Sequence, residues 1–142
     1  VVAIPAEPVN IGDAARASGV STRMVRHYES LGLLGQVVRT ESGYRQYGEA
    51  DVHALRFIKR ARDLGFSMSE ITDLLDLWRN RRRASASVRR ITQAHAEDLA
   101  RRIEAMQAMR RTLMNLLEHC HGDARPECPI LDDLAGGEET AR

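Results

Sequence analysis

Two thiols stand close together near one end of the chain. The stretch His119-Cys120-His121-Gly-Asp-Ala-Arg-Pro-Glu-Cys128-Pro129 holds both cysteines of the 142-residue sequence. Thiolates are soft donors that favour monovalent copper and its relatives over magnesium, calcium or manganese. Two cysteines are too few for a disulfide framework, and in a reducing compartment both stay available to metal. A dithiol redox switch would use the same pair, so oxidation stands beside metal binding as a reading of these residues. His119 and His121 could add imidazole donors for zinc, although neighbours on either side of a helical Cys120 do not easily converge with it. An enzyme has little support, because the chain lacks Cys-x-x-Cys, a Gly-rich phosphate loop and a nucleophile–base pair.

A second constellation lies toward the other end. Arg23, Arg26, His27 and Tyr28 fall within one short stretch, and Arg39, Tyr44, Arg45 and Tyr47 follow in the next. Guanidinium groups neutralise phosphates or grip guanine edges, and tyrosine hydroxyls reach phosphate oxygens. Helical spacing puts Arg23, Arg26 and His27 on one face, and Arg56, Lys59 and Arg60 repeat the pattern further on. Read singly, each is a solvated surface charge. On consecutive elements, together, they point to duplex DNA.

Net charge adds little to that argument. Residues 1–63 carry nine Lys/Arg against seven Asp/Glu, and residues 64–142 carry twelve against thirteen, so the basic signal is local clustering. Hydrophobic residues make up 43% of the chain, enough for a modest core, but no apolar run approaches the roughly 18 residues of a membrane span. No secretory signal pattern opens the sequence, and the cytoplasm is the expected location.

The elements that must position these residues can be read from breakers and caps. Ile11 to Ser18 reads as a short helix, Gly19-Val20 as a break, and Ser21 as the N-cap of a second helix running to about Leu31 and ended by Gly32. Two short helices joined by a tight Gly-containing turn make a helix-turn-helix. Val37-Val38, a turn at Gly43 and the alternation Tyr44-Arg45-Gln46-Tyr47 suggest a β-ribbon directly after it, the layout of a winged helix-turn-helix. Further helices are expected over about Ala50–Leu64 and Ser67–Trp78. Ser85 to about His119 lacks Gly and Pro, with Leu99, Met106, Leu113 and Cys120 recurring every seven residues and Val88, His95, Arg102, Met109 and Leu116 as a companion row. The polar His95 and Arg102 argue against an unbroken parallel zipper. A helix about 50 Å long cannot bury such a stripe on a small domain, so a helix from a second chain is the economical partner. Cys128 then precedes Pro129, a good first residue for a short helix to about Leu134, whose N-terminus would favour the thiolate.

The fold class expected is mainly α. A mobile lead-in at 1–8 precedes a winged helix-turn-helix DNA-binding domain at 9–80 and a dimerisation helix at 81–119. A metal-binding loop with a short helix occupies 120–135, and a flexible tail 136–142.

These residues carry a family resemblance. The string from Val20 through Arg23, Arg26-His-Tyr28 to Leu34, then Arg39-Thr-Glu-Ser-Gly-Tyr-Arg-Gln-Tyr47 and Phe57 to Ile71, resembles the MerR family of bacterial regulators. The likeness covers about residues 9–135. The pattern Cys120-(seven residues)-Cys128-Pro-Ile-Leu131 is similar to that of the copper-responsive efflux branch. The resemblance implies a homodimer joined by an antiparallel coiled coil and seated on a palindromic promoter whose spacer is too long for RNA polymerase. Metal binding would then change how that DNA is bent and untwisted. It also implies Cys120 and Cys128 as ligands of Cu(I), with Ag(I) or Au(I) possible. In divalent-sensing relatives the start of the partner's long helix supplies a third thiolate. Ser85 stands at the matching position here, and the loop is one residue shorter than in the zinc and mercury branches. A divalent sensor and a dithiol redox sensor of the same family remain the alternatives. An organic-ligand sensor would not need the cysteine loop.

Overall fold

A computed structural model describes residues 3–35, 38–123 and 126–136. Six helices and one small ribbon follow each other among them: α1 (Ile11–Ser18), α2 (Thr22–Ser30), β1 (Val38–Arg39), β2 (Arg45–Gln46), α3 (Glu49–Asp63), α4 (Met68–Arg79), α5 (Ser85–His119) and α6 (Pro129–Leu134). The mainly helical winged helix-turn-helix is therefore present, followed by the long helix. No helix among the described residues is long and apolar enough to cross a membrane.

Local chemistry explains most of the boundaries. The Asn10 side chain accepts from the Asp13 N–H at 2.8 Å to start α1. Gly19, at φ +76°, ends it and donates its N–H back to the Ala15 carbonyl at 2.9 Å. A Cβ at Gly19 would stand 3.2 Å from Lys59 Cε, so the lysine stem would have to shift by a few tenths of an ångström. Ser21 caps α2 by accepting from the Met24 N–H at 3.2 Å. Ser67 and Glu70 cap α4 reciprocally, Ser67 Oγ accepting from the Glu70 N–H and Glu70 Oε1 from the Ser67 N–H.

The ribbon is antiparallel, with Val38 opposite Gln46 and Arg39 opposite Arg45. Thr40 closes its turn, donating its N–H to the Tyr44 carbonyl at 2.7 Å while its carbonyl accepts from the Gly43 N–H at 2.9 Å. Val37, expected in this ribbon, lies outside the described residues. Two anchors join the wing to the helices. Tyr47 and Val9 exchange backbone hydrogen bonds at 2.7 and 2.9 Å. Asp51, buried at the start of α3, accepts from the Gly35 N–H at 3.1 Å and the Gly48 N–H at 3.0 Å.

The chain forms two compact units, Val1–Thr92 and Gln93–Arg142. The first has a core of Val25, Tyr28, Leu33, Leu34, Tyr47, Val52, Leu55, Ile58, Ile71 and Leu75, with Ala14 and Ala17 where α1 packs closely. Ile4, in the lead-in, packs partly buried against it. The division falls within α5. Thr92 shares an apolar groove with Phe57, Phe66, Leu74 and Trp78, which ties the first turns of α5 to the first unit. The second unit contains the rest of α5, the thiol loop and α6. Within it Ile103, Met106, Met109, Leu113 and Leu117 are each more than half exposed, an apolar stripe left uncovered by the described residues.

Candidate nucleic-acid interface and thiol loop

Three arginines wall one open groove. Arg26 from α2, Arg39 from β1 and Arg45 from β2 line a space of about 560 Å³ together with Asn10, Ile11, Gly43, Tyr44 and Tyr47. Two local devices deliver them. Ser21 caps the helix that carries Arg26, while the Thr40–Tyr44 turn sets Arg39 against Arg45. Arg39 Nη1 donates to the Gly43 carbonyl at 3.0 Å, which steadies its guanidinium over the turn. Tyr44 is 74% exposed at the wing tip. Arg23 and His27 are exposed on α2 without lining this groove. Chemically, the groove is a cationic concavity with one exposed phenol at its edge, suited to a phosphate backbone.

Two tyrosines expected to meet DNA belong to the core. Tyr28 is 3% exposed, and its hydroxyl accepts from Arg62 Nη1 at 3.1 Å. Tyr47 is fully buried, and its hydroxyl donates to Glu29 Oε1 at 2.7 Å. Burial, then the Glu29 hydrogen bond and the Glu29 charge, push the Tyr47 phenol up to about 12, with Arg45 and Arg26 opposing. Tyr47 therefore supports the groove from beneath, while Tyr28 ties α2 to α3 through Arg62. Their amphipathic side chains fit a core with a polar exit as well as they fit a surface.

Arg60 is also elsewhere. It lines the apolar groove with His53, Phe57, Phe66 and Trp78, in which Phe57 and Trp78 stack at 4.9 Å between ring centroids. Arg56 Nε donates to the Ala17 carbonyl at 2.8 Å, a tie between α3 and α1, and Lys59 pairs with Asp63 at 3.1 Å. The third basic stretch thus divides between structural ties and a second surface.

Sequence reasoning missed Glu29. Its other oxygen, Oε2, meets Arg45 Nε at 3.1 Å, so one carboxylate joins α2, β2 and the buried Tyr47. A single acid inside a basic helix gives no sign of this in the sequence. Asn10 was also missed, although an Asn before a helix is a readable cap.

The thiol loop starts where α5 stops. Cys120 follows the last residue of α5, with its N–H on the Leu117 carbonyl at 3.2 Å, and Cys128 is the N-cap residue of α6. Both thiols are free and partly buried. The Cys128 carbonyl accepts from the Asp132 N–H at 3.0 Å, which fixes the entry to α6. His119 Nδ1 lies 2.8 Å from the Asn115 carbonyl, and His121 is exposed. Among the described residues no group of three or more His, Cys, Asp or Glu side chains is gathered for a metal ion. The donors in this chain's loop that suit a soft ion are thus the two thiols, a set that fits a monovalent d10 ion. Ser85 is the first residue of α5 and is exposed.

Comparison with known proteins gives this geometry a lineage. Residues 9–78 match the family model described as MerR HTH family regulatory protein, and residues 52–116 match the one described as MerR, DNA binding. The chain is 54% identical over 129 residues to heavy metal-dependent transcription regulator 2 of Rhizobium meliloti, covering 91% of this chain and 88% of that protein. It is 37% identical over 128 residues to the HTH-type transcriptional regulator CueR of Salmonella typhimurium, covering 90% and 93%. Among solved structures, the lead(II) complex of a transcription regulator from Ralstonia metallidurans superposes with a TM-score of 0.79 at 31% identity, covering 89% of this chain and 98% of that one. With the helix-turn-helix, the wing and the long helix all in place, the chain belongs to the MerR family of transcriptional regulators, which are DNA-binding proteins and not enzymes.

Proposed function

We propose that this protein is a metal-responsive regulator that binds promoter DNA as a homodimer and senses monovalent copper, with silver or gold as chemical equivalents. The observation that carries the reading is that the chain's two thiols stand at the end of α5 and at the N-cap of α6, eight positions apart, free and partly buried. Cys120 and Cys128 would hold the ion as thiolates, and a bound monovalent ion leaves that pair with one net negative charge. Ser85 of the partner subunit, brought near by antiparallel pairing of α5, offers a hydroxyl where a divalent ion would want a third thiolate. The names of the heavy metal-dependent and CueR relatives support metal response.

Arg26, Arg39, Arg45 and Tyr44 would face the duplex, with Arg23 and His27 reaching from α2 and Arg60 from its separate surface. The apolar stripe on α5 supplies the dimer contact. The output would be a distorted promoter that RNA polymerase can engage in the cytoplasm, an energetic route open to sequence-dependent deformation.

The test is metal stoichiometry and coordination by X-ray absorption on reduced protein, with promoter response measured in parallel. One Cu(I) per loop with two sulfur neighbours is expected, and Cys120→Ser or Cys128→Ser should abolish the response while leaving DNA affinity nearly intact. A copper response that survives loss of either cysteine overturns the assignment. The lead(II) complex of the structural relative favours a second reading, a divalent sensor. Strong activation of the wild-type chain by Zn(II) or Pb(II) would establish it, and Ser85→Cys should create divalent binding only if the first reading holds. Response to oxidant in the absence of metal would mark a dithiol switch instead.

A further inference from the structure

Glu29 contacts two residues that line the arginine-walled groove, Arg45 and Tyr47, and has 19% of its side chain exposed. A carboxylate beside a phosphate-facing surface repels the ligand, and glutamine would satisfy the Tyr47 hydroxyl just as well. Only a carboxylate combines an acceptor for that hydroxyl with a charge for Arg45. Oε1 takes the Tyr47 hydroxyl at 2.7 Å, and Oε2 forms an ion pair with Arg45, 3.1 Å from its Nε. Tyr47 is fully buried and pinned to Val9 by two backbone hydrogen bonds, so Oε1 is referenced to the core. The ion pair makes its close approach at Nε, on the inner side of the guanidinium, and the four terminal N–H groups stay directed away from the stem toward a phosphate or a base edge.

Resting on the reading of this groove as the DNA interface, we infer that Glu29 is a positioning residue for Arg45. It holds the wing arginine at a fixed aim, and part of its charge is masked until a duplex is in register. Non-specific attraction is lowered while the correctly placed contact is retained. Glu29 thereby sets the ratio of specific to non-specific affinity.

Three variants separate position from charge. Glu29→Gln keeps an acceptor for Tyr47 but turns an amide N–H₂ or a single shared oxygen toward Arg45. Glu29→Asp keeps the charge on a shorter stem that cannot hold both partners. Arg45→Ala removes the group through which Glu29 acts. Binding is read by anisotropy on two labelled duplexes across a salt series, one enriched by in vitro selection with the wild-type chain and one scrambled to equal length. Urea melts confirm that each variant is folded.

Glu29→Gln should bind the scrambled duplex several-fold tighter, with a salt slope steeper by about one, because one more unmasked cation releases counterions. Its ratio of selected to scrambled affinity should fall about tenfold, the size of one misdirected contact. Glu29→Asp should lose the same discrimination without the change in slope. In the Arg45→Ala background neither substitution should lower the ratio further. Unchanged ratios in both Glu29 variants, or effects that simply add to that of Arg45→Ala, overturn the inference. If instead Arg26→Ala and Arg45→Ala leave both affinities at the wild-type level, the reading of the groove has failed and the inference falls with it.

Discussion

At the scale of single residues, the interface is a contest between charge and burial. Arg26 and Arg45 bring cations from separate elements to one groove. Replacing either by alanine should weaken operator binding and flatten the salt dependence by about one counterion each. Equal affinity and slope for both variants would remove the groove from the DNA surface. Tyr47 makes a different prediction. Its phenol titrates at about 12 in the folded protein, mainly because it is buried, against about 10 in an unfolded chain. The unfolded state therefore loses its proton first as pH rises. Stability from this group is fully present below pH about 10 and is lost between about 10 and 12, amounting to about 2–3 kcal/mol. Urea melts at pH 9 and at about 11.5 should show Tyr47→Phe losing less than wild type over that interval. A difference of zero would mean the phenol is not held as described.

The elements show how short segments deliver those residues. Both turns that aim the helix-turn-helix and the wing contain glycine at positive φ, +76° at Gly19 and +86° at Gly43. Gly19 also has Lys59 within reach of an added Cβ, whereas Gly43 has open space. Gly19→Ala should cost about 1–2 kcal/mol from left-handed strain, plus whatever the Lys59 stem must give. Gly43→Ala should cost only the strain, so denaturant midpoints should fall further for Gly19→Ala. The capping box at the start of α4 is more local still. Ser67→Ala removes the acceptor for the Glu70 N–H and should lower stability by about 1 kcal/mol.

For the whole molecule, the uncovered stripe on α5 is the dominant feature. Met106 is 66% exposed and Met109 62%, with Ile103, Leu113 and Leu117 beside them, which is apolar surface that a second copy would bury. Met106→Glu should leave the core of the first unit intact and separate the subunits, because an unpaired charge in a buried seam costs several kcal/mol. Sedimentation at low micromolar concentration reads the result, and persistent dimers would place the interface elsewhere. How much of this was legible beforehand depends on range. The limits of α1, α5 and α6 were readable, because caps, glycines and Pro129 act over three or four residues. The positions of the two cysteines, at the end of α5 and before Pro129 of α6, were readable for the same reason. Tyr28 and Tyr47 were not, because a tyrosine suits either a surface or a core, and long-range packing of α2, α3 and the wing decides which. Arg60 shared a pattern with Arg26 yet faces another groove, since helix orientation is a tertiary property. Glu29 is the clearest case: its partners Arg45 and Tyr47 lie 16 and 18 positions away, and only the folded chain joins them. Local chemistry determined which elements form and where their ends fall, whereas burial and long-range pairing decided which side chains remain free to meet a ligand.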